Sequence, residues 1–372
     1  MKFLIITHVL HKKQNHEYFA YTPYVREMNL WLKHVDEVEI VAPMLANAIS
    51  KIDMAYQHNN LKLTAIPVIE FTSIQKVFPS LFKLPVILVR IFKACRQADH
   101  IHIRCPGNIG LLGCFAQIFF PKKIKTAKYA GNWDPKARQP ISYGIQKWIL
   151  KNEFLTRDMQ VLVYGNWNDA SKNIMPFFTA SYREDEKIDV STKSLEESIN
   201  ILFVGTLSKG KQPLISVKAT QELIKKGYPI SLDIYGEGPK RKSLENYIKE
   251  NHLESNVILH GNKNKEDIKQ AYQKAHFLVF ISKSEGWPKV VAEAMFWKCL
   301  PISTNVSCIP EMLGQGARGS IVTPKTNNVV AEIQNYIKNE KEYIAKIEKA
   351  QNWSRSYTLD KFETEIKKLL HS

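Results

Sequence analysis

The sequence has no long hydrophobic run. Its longest late apolar stretch, Ile109 to Phe120, falls short of the roughly 20 residues that a bilayer-spanning helix needs, so no transmembrane helix is expected. The opening Met1-Lys2-Phe3-Leu4-Ile5-Ile6 is too short for a secretory signal and reads as a first strand. Cysteine is sparse. Cys95, Cys105, Cys114, Cys299 and Cys308 form no Cys-x-x-Cys pair and no Cys/His cluster at zinc spacing, so they read as reduced thiols of a cytoplasmic protein. No Asp-x-Asp metal pair, internal repeat or low-complexity segment is present. Acids are scarce relative to bases, 36 against 52, which leaves a formal charge of +16. Such an excess fits nucleic acid, an anionic membrane surface or acidic substrates, and composition does not choose among them. What is present is ordinary for globular proteins: 44% apolar and 24% charged residues in 372, enough for two or three domains of about 150 residues each.

One stretch organises the chain. Phe277 to Ile281 is a short apolar run of the kind found in buried parallel strands, and Ser284-Glu285-Gly286-Trp287-Pro288-Lys289-Val290-Val291-Ala292-Glu293-Ala294-Met295 follows it. This reads as strand, tight loop and helix, with Gly286 permitting the turn and Pro288 suiting the first helical turn. A helix start near Pro288 presents free N–H groups and the positive end of a dipole at the C-terminal end of a strand, where phosphate is attracted. Glu285 and Glu293 flank that start. Over eight residues of helix they would diverge by roughly 80° at about 3.6 residues per turn, but Glu285 precedes the helix, so both are free to line one cleft. Carboxylates accept paired hydrogen bonds from vicinal hydroxyls, as on sugar rings. Taken alone, the two glutamates fit better a reading in which Glu293 faces solvent and Glu285 merely sits near the helix dipole.

Together with Leu300-Pro301-Ile302-Ser303 and Ile309-Pro310-Glu311, this stretch resembles the donor-site signature of family 4 glycosyltransferases. Phe203-Val204-Gly205-Thr206-Leu207-Ser208-Lys209-Gly210-Lys211 resembles the family's first diphosphate loop, and Asp233-Ile234-Tyr235-Gly236-Glu237-Gly238-Pro239 its Gly-x-Gly-Pro turn. The three motifs stand in family order, and the likeness is strongest over residues 199 to 325. The resemblance implies an α/β protein of GT-B fold, with two Rossmann-like domains facing a central cleft. Residues 1 to 180 would form the acceptor-binding domain, joined by a C-terminal helix over 359 to 371, and 199 to 355 the nucleotide-sugar domain. It implies Glu285 on the donor sugar and Lys211 on the diphosphate as catalytic residues. Donor contacts would come from Gly205, Thr206, Ser208, Lys209, Gly261, Gly286, Pro288, Lys289 and Val290, with Glu293 on the ribose. No metal and no cofactor beyond the donor substrate is implied.

The first half departs more from the family. Lys2 to Thr7 and Val38 to Ala42 read as parallel strands with a helix from Thr22 to His34 between them. His8 and His11 follow the first strand, where open α/β sheets usually bind ligands, yet the family's Gly-Gly loop is replaced by Val9-Leu10-His11-Lys12-Lys13. Asp99 to Arg104 reads as a strand; the resemblance implies that His102 and Arg104 stand at the family's His-x-His end of a strand beside the cleft, and a structural role for His102 fits at least as well. Where many members carry a histidine, Gly131 and Asn132 stand, and Asn132 is able to hydrogen-bond a hydroxyl but not to act as an acid or base. His8, His11, Arg104 and Asn132 are therefore the acceptor-side candidates. Val161 to Asn166 reads as the last strand of the first domain, and Tyr182 to Ser198 as a polar connection.

Lys76 to Arg96 interleaves apolar and basic residues without one acid. A basic amphipathic helix of this kind suits an anionic bilayer surface; the alternative is a core helix with a wet edge, interrupted at Pro85. Lys122, Lys123, Lys125 and Lys128 would enlarge the same surface. The expected activity is retaining transfer of a sugar from a nucleoside diphosphate sugar to a glycan or lipid-linked acceptor in cell-surface polysaccharide or glycoconjugate synthesis, on the inner face of the plasma membrane. The alternatives are a GT-B-shaped nucleotide-sugar epimerase and a non-catalytic nucleic-acid or membrane binding protein; the recognition motifs of nucleic-acid folds are missing.

Overall fold

The computed structural model describes residues 1–46, 48–50, 52–70, 74–168 and 170–371. The chain forms two compact units, one of residues 1–178 with 362–372 and one of residues 179–361.

In the first unit, strands β1 (Lys2–Ile6), β4 (Glu37–Pro43), β6 (Leu61–Ile66), β7 (His100–Cys105), β8 (Ile124–Tyr129), β9 (Met159–Tyr164) and β10 (Ile174–Phe177) make a parallel sheet in the order β10-β9-β8-β7-β1-β4-β6. Strands β2 (Lys12–Gln14), β3 (Glu17–Tyr21) and β5 (Asp53–Ala55) form a small antiparallel sheet beside it. Val161 to Asn166 is thus not the last strand. Ile174 to Phe177 adds another in parallel register, too short and proline-broken to announce itself. Helices α1 (Thr22–Leu32), α2 (Ile74–Gln97), α3 (Asn108–Ala116) and α4 (Ile141–Lys151) connect the strands.

Helix α2 runs through both Pro79 and Pro85, so the break expected at Pro85 does not occur. A proline deprives the carbonyl four residues earlier of its partner. Here those residues are Gln75 and Leu81, both exposed. The Lys76 side chain lies outside the described residues. Lys125 and Lys128 do not join a positive surface: they sit on β8 and are each 1% exposed. Lys125 donates to the Phe120 carbonyl at 2.9 Å, and burial pushes its ammonium down to about 8. Lys128 donates to the Phe178 carbonyl and lies over the rings of Tyr164, Phe177 and Phe362, at 4.3 Å from Phe177. Cation–π contact and a carbonyl thus replace water around that charge.

The second unit is built on β11 (Ile199–Val204), β12 (Ile230–Tyr235), β13 (Val257–Gly261), β14 (Phe277–Phe280), β15 (Leu300–Thr304) and β16 (Ser320–Val322), all parallel in the order β13-β12-β11-β14-β15-β16. Helices α5 (Pro213–Lys225), α6 (Arg241–Glu250), α7 (Lys265–Lys274), α8 (Lys289–Phe296), α9 (Ile309–Met312), α10 (Thr326–Lys338) and α11 (Glu340–Arg355) flank it. Its central strands β11, β14 and β15 are buried almost throughout, as strands covered on both faces require, whereas β12 and β13 toward one edge are buried only in part. The polar stretch 182–198 is docked on this unit: Leu195 is in its core, and Lys193 donates to the carbonyls of Gln273 and Trp297. Helix α12 (Leu359–His371) begins in the second unit and continues from Phe362 in the first. There Phe362 packs on Phe177 and Phe178, and Glu363 binds Lys33 and His34.

Candidate functional site

Each sheet reverses its strand order once. In the second unit, β11 leads to β12 and β13 on one side, whereas the chain returns to place β14, β15 and β16 on the other. The loops after β11 and β14 consequently diverge and leave a crevice at their C-terminal ends, the usual ligand position in such sheets. These loops carry the sequence candidates, and a side-chain pair joins them: Lys211 Nζ binds Glu285 Oε1. Lys211 also lies 4.9 Å from the centre of the Phe280 ring. The Glu285 side chain is 9% exposed and that of Lys211 27%, so the pair is held at the rim of the unit rather than in open solvent.

Several neighbours fix the two loops. The amide of Lys211 donates to Ser208 Oγ at 3.4 Å, and the amide of Lys283 to the Gly210 carbonyl at 2.9 Å. Gly286 is pinned through its carbonyl by Ser307 Oγ at 3.1 Å and by the Cys308 thiol at 3.2 Å. Thr304 accepts from the Ser282 amide and donates to its carbonyl. The loop after β12 presses directly on the loop after β11. A Cβ on Gly236, at φ +138°, would lie 2.0 Å from the Gly205 carbonyl oxygen, so only glycine allows this approach. Gly261, at the end of β13, accepts from the Gly236 amide at 2.8 Å. Thr206 and Lys209 are exposed on the first loop.

Helix α8 starts at Lys289, with Pro288 at its N-cap. Proline offers no side-chain acceptor there, and within the first turn the Val291 amide donates back to the Pro288 carbonyl at 2.9 Å, while the turn as a whole carries the positive end of the helix dipole. Val290 and Glu293 lie within the first two turns. Glu293 belongs to a second cluster: Ser181 Oγ donates to its Oε1, and Tyr272 Oη donates to Oε2 at 3.1 Å. Lys289 and Glu293, one turn apart, line a small hollow with Ser181, Tyr182, Ser354 and Tyr357. Tyr272 is fully buried; burial first and the Glu293 charge second push its phenol well above the usual range, so it remains a donor. Sequence reading missed Ser181, Tyr272 and Ser307. All three are common polar residues in apolar or polar contexts without periodic signal, and only the packing brings them to the signature helix.

The first unit has its own reversal between β1 and β7. His8 is exposed there. Its ring fills the space beside Gly107, where a Cβ would lie 2.6 Å from Nδ1. A cavity of about 430 Å³ is lined by His8, Leu10, Ile69, Asn108, Ile109 and Tyr143, among others. The other three acceptor-side candidates do not face it. His11 is 0% exposed, bonds the Val9 carbonyl and the Tyr56 hydroxyl through its two ring nitrogens, and burial lowers its pKa to about 4. Arg104 is turned to Glu27 at 3.4 Å and to the Tyr24 ring. Asn132 Oδ1 accepts from the Asp134 amide at 2.9 Å and its carbonyl from Gln139, which shapes the loop after β8. Each already has partners within the first unit. His102 likewise is buried, bonded to Thr126 Oγ1. Among the described residues no group of three His, Cys, Asp or Glu side chains is placed to hold a metal ion.

Residues 184–353 match the family described as Glycosyl transferases group 1. An uncharacterized glycosyltransferase of Methanocaldococcus jannaschii is 27% identical over 169 residues, 45% of this chain and 46% of that protein. The Campylobacter jejuni GalNAc-alpha-(1->4)-GalNAc-alpha-(1->3)-diNAcBac-PP-undecaprenol alpha-1,4-N-acetyl-D-galactosaminyltransferase is 31% identical over 115 residues, 30% of each chain. The chain thus spans less than half the length of the curated relatives it matches. In architecture it is similar over its whole length to HepE of Anabaena, solved in complex with UDP, with a TM-score of 0.70, 13% identity and full coverage of both chains. Sucrose-phosphate synthase of Thermosynechococcus elongatus gives 0.68 at 14% identity, covering 100% of this chain and 98% of that one. The fold is therefore GT-B.

Proposed function

We propose that this chain, whose second unit is a glycosyl transferases group 1 domain, transfers a sugar from a nucleoside diphosphate sugar to a glycan or lipid-linked acceptor. The observation that carries the reading is the Lys211–Glu285 pair, which joins the two loops at the strand-order reversal beside the start of α8. A diphosphate at that start would draw Lys211 onto its oxygens, and Glu285 would then accept hydrogen bonds from the donor sugar hydroxyls. Charge growing on the departing diphosphate is met by a lysine and by helix-start N–H groups already in place, the arrangement through which electrostatic stabilisation contributes most. Glu293 takes the ribose hydroxyls, with Ser181 and Tyr272 now occupying its two oxygens. Backbone from Gly261 to Lys263 meets the base. The solved relatives bound to UDP and UDP-glucose support a donor of this class. Transfer with retention, the donor diphosphate accepting the acceptor proton, needs neither a separate general base nor a metal. The acceptor-binding role is placed in the first unit, at the cavity beside His8. We also infer that α2 meets the anionic inner face of the plasma membrane, which suits synthesis of cell-surface polysaccharide or glycoconjugate.

The test is direct. Wild-type protein is screened by thermal shift against uridine and guanosine diphosphates and their sugars, because a ligand that binds only the native state raises its melting temperature. Release of nucleoside diphosphate is then followed for wild type, Glu285→Ala and Lys211→Ala. We expect one nucleotide series to stabilise the wild type and both variants to lose turnover while still melting cooperatively. Absence of any nucleotide-dependent shift, or full turnover in either variant, overturns the assignment.

A further inference from the structure

Exposed apolar side chains and positive charge converge on one layer of the first unit. Helices α2, α3 and α4 follow the crossovers β6 to β7, β7 to β8 and β8 to β9, which all step in one direction along the sheet. Right-handed connections therefore place them on the same face, and α3 packs on both of its neighbours. Of the 20 large hydrophobic side chains exposed among the described residues, 12 fall between Phe78 and Phe154. On α4, Ile141 is 84% exposed, Ile145 39% and Trp148 62%, and their spacing of four and three puts them on one stripe. Gln146, Ile149 and Leu150 are buried on the other side of that helix. On α2, Phe82 is 82% and Val89 67% exposed, and Phe119, at the end of α3, is 70% exposed.

The charge follows the same layer. Residues 74 to 151 contain 14 Lys and Arg but only two acids, Asp99 and Asp134; Lys125, Lys128 and Arg104 are turned into the protein, and the remaining 11 bases carry the positive charge of the layer. Helices α2, α3 and α4 themselves contain no Asp or Glu. Contiguous apolar exposure of this kind marks an interaction site. Apolar stripes bordered by cations alone complement a surface that is apolar below and anionic above, which is an acidic bilayer. Trp148 has the amphipathic ring favoured at that boundary. No helix among the described residues is long and apolar enough to cross the membrane, so the contact is in the plane of the surface.

We propose that α4 and the Phe119 corner act with α2 as one broad face that docks flat on an anionic bilayer. This extends to three helices, and rests on, the α2 contact inferred above. Tyr143 of α4 and Asn108 and Ile109 of α3 line the cavity beside His8, so docking sets that cavity at the edge of the lipid. A lipid-anchored acceptor then reaches it without leaving the membrane.

The experiment sediments full-length protein with vesicles of phosphatidylglycerol and phosphatidylcholine, and with phosphatidylcholine alone. Wild type is compared with Ile141→Ser/Trp148→Ser on α4 and Phe82→Ser/Val89→Ser on α2. All four positions are exposed, so melting temperature and nucleotide binding stay as in wild type. The expected result is binding to the anionic vesicles only, lowered about tenfold or more by either pair, since each removes apolar groups that lipid would bury. An α4 pair that sediments like wild type, while the α2 pair is lost, overturns the extension and leaves α2 alone. Failure of wild type to bind either vesicle overturns the surface altogether, whatever the nucleotide result. Dissociation of a wild-type dimer by the same substitutions, without vesicles, overturns it in favour of a second copy of the chain.

Discussion

Replacing Lys211 by Met removes the cation of the Lys211–Glu285 pair while keeping much of the side-chain volume over the Phe280 ring. Two costs follow, and the structure separates them. The first is stability. Glu285, 9% exposed, is left without its counter-charge. Breaking a fully buried pair in this way costs about 3–5 kcal/mol, and exposed pairs contribute about 0–1 kcal/mol. With the lysine 27% exposed, water reaches the site, and about 1–2 kcal/mol is the expected loss. For a unit of this size that lowers Tm by about 3–6 °C, which leaves the protein folded at 25 °C. The second cost is catalytic. Loss of one preorganised partner for charge developing in the transition state lowers kcat by about 10²–10³-fold. Nucleoside diphosphate release at saturating donor, measured beside a thermal melt, reads both. Adding Glu285→Gln to the same chain removes the stranded carboxylate charge and restores most of the melting temperature without restoring turnover. A Lys211→Met protein that shows the Tm fall but turns over within about threefold of wild type would refute the reasoning, because the pair would then hold loops together and nothing else.

Tyr272→Phe deletes the hydroxyl that donates to Glu293 Oε2. If it positions that carboxylate for ribose, KM rises about tenfold for the ribonucleotide donor, in line with a charged hydrogen bond of about 1.5 kcal/mol. It stays unchanged for the 2′-deoxy donor, and equal effects on both would mark a purely structural tyrosine. Burial depresses both His11 and His100 from 6.5 to about 4. Their folded values lie below their unfolded ones, so the unfolded chain takes up protons first as pH falls, and stability present above pH 6.5 drains away toward pH 4. From pH 7 to 5 each costs about 2 kcal/mol, and urea midpoints that stay constant over that range would contradict it. Gly236→Ala forces a Cβ to within 2.0 Å of the Gly205 carbonyl at a positive φ. A loss of about 3 kcal/mol or more is expected in chemical denaturation, and a near-neutral substitution would show that the two loops are not locked together.

Much of the second unit was legible because its strands are buried on both faces. Ile199 to Val204, Phe277 to Phe280 and Leu300 to Thr304 stand out as apolar runs, and Gly205, Gly236 and Pro288 punctuate them where loops must turn. The first unit was harder. Its short strands β2, β3 and β5 are half-wet and of three to five residues; β2 and β3 form a tight hairpin, and only β3 and β5 pair over a long separation, so none carries a clear local period. Lysine was the most misleading residue type: Lys125 and Lys128 look solvated in a Lys-rich run and project from opposite faces of β8, but the strand is covered on both faces, so each ends on a carbonyl or a set of rings. Among the acceptor-side candidates, His11, Arg104 and Asn132 have the chemistry for a site, but each has its hydrogen-bonding groups or charge engaged within the fold.

The order of residues by itself determined most of the buried strands, the loops after β11 and β14 and the residue types that chemistry at those loops requires, because burial pattern and turn chemistry are local properties. Tertiary structure alone decided that Lys211 reaches Glu285 across 74 positions of chain. It also turned Glu293 to Ser181 and Tyr272, and it gathered the exposed stripe of α4 and that of α2 into one layer. Those pairings depend on where strand order reverses and on which side a crossover passes, and both are set by the folding of distant segments against one another.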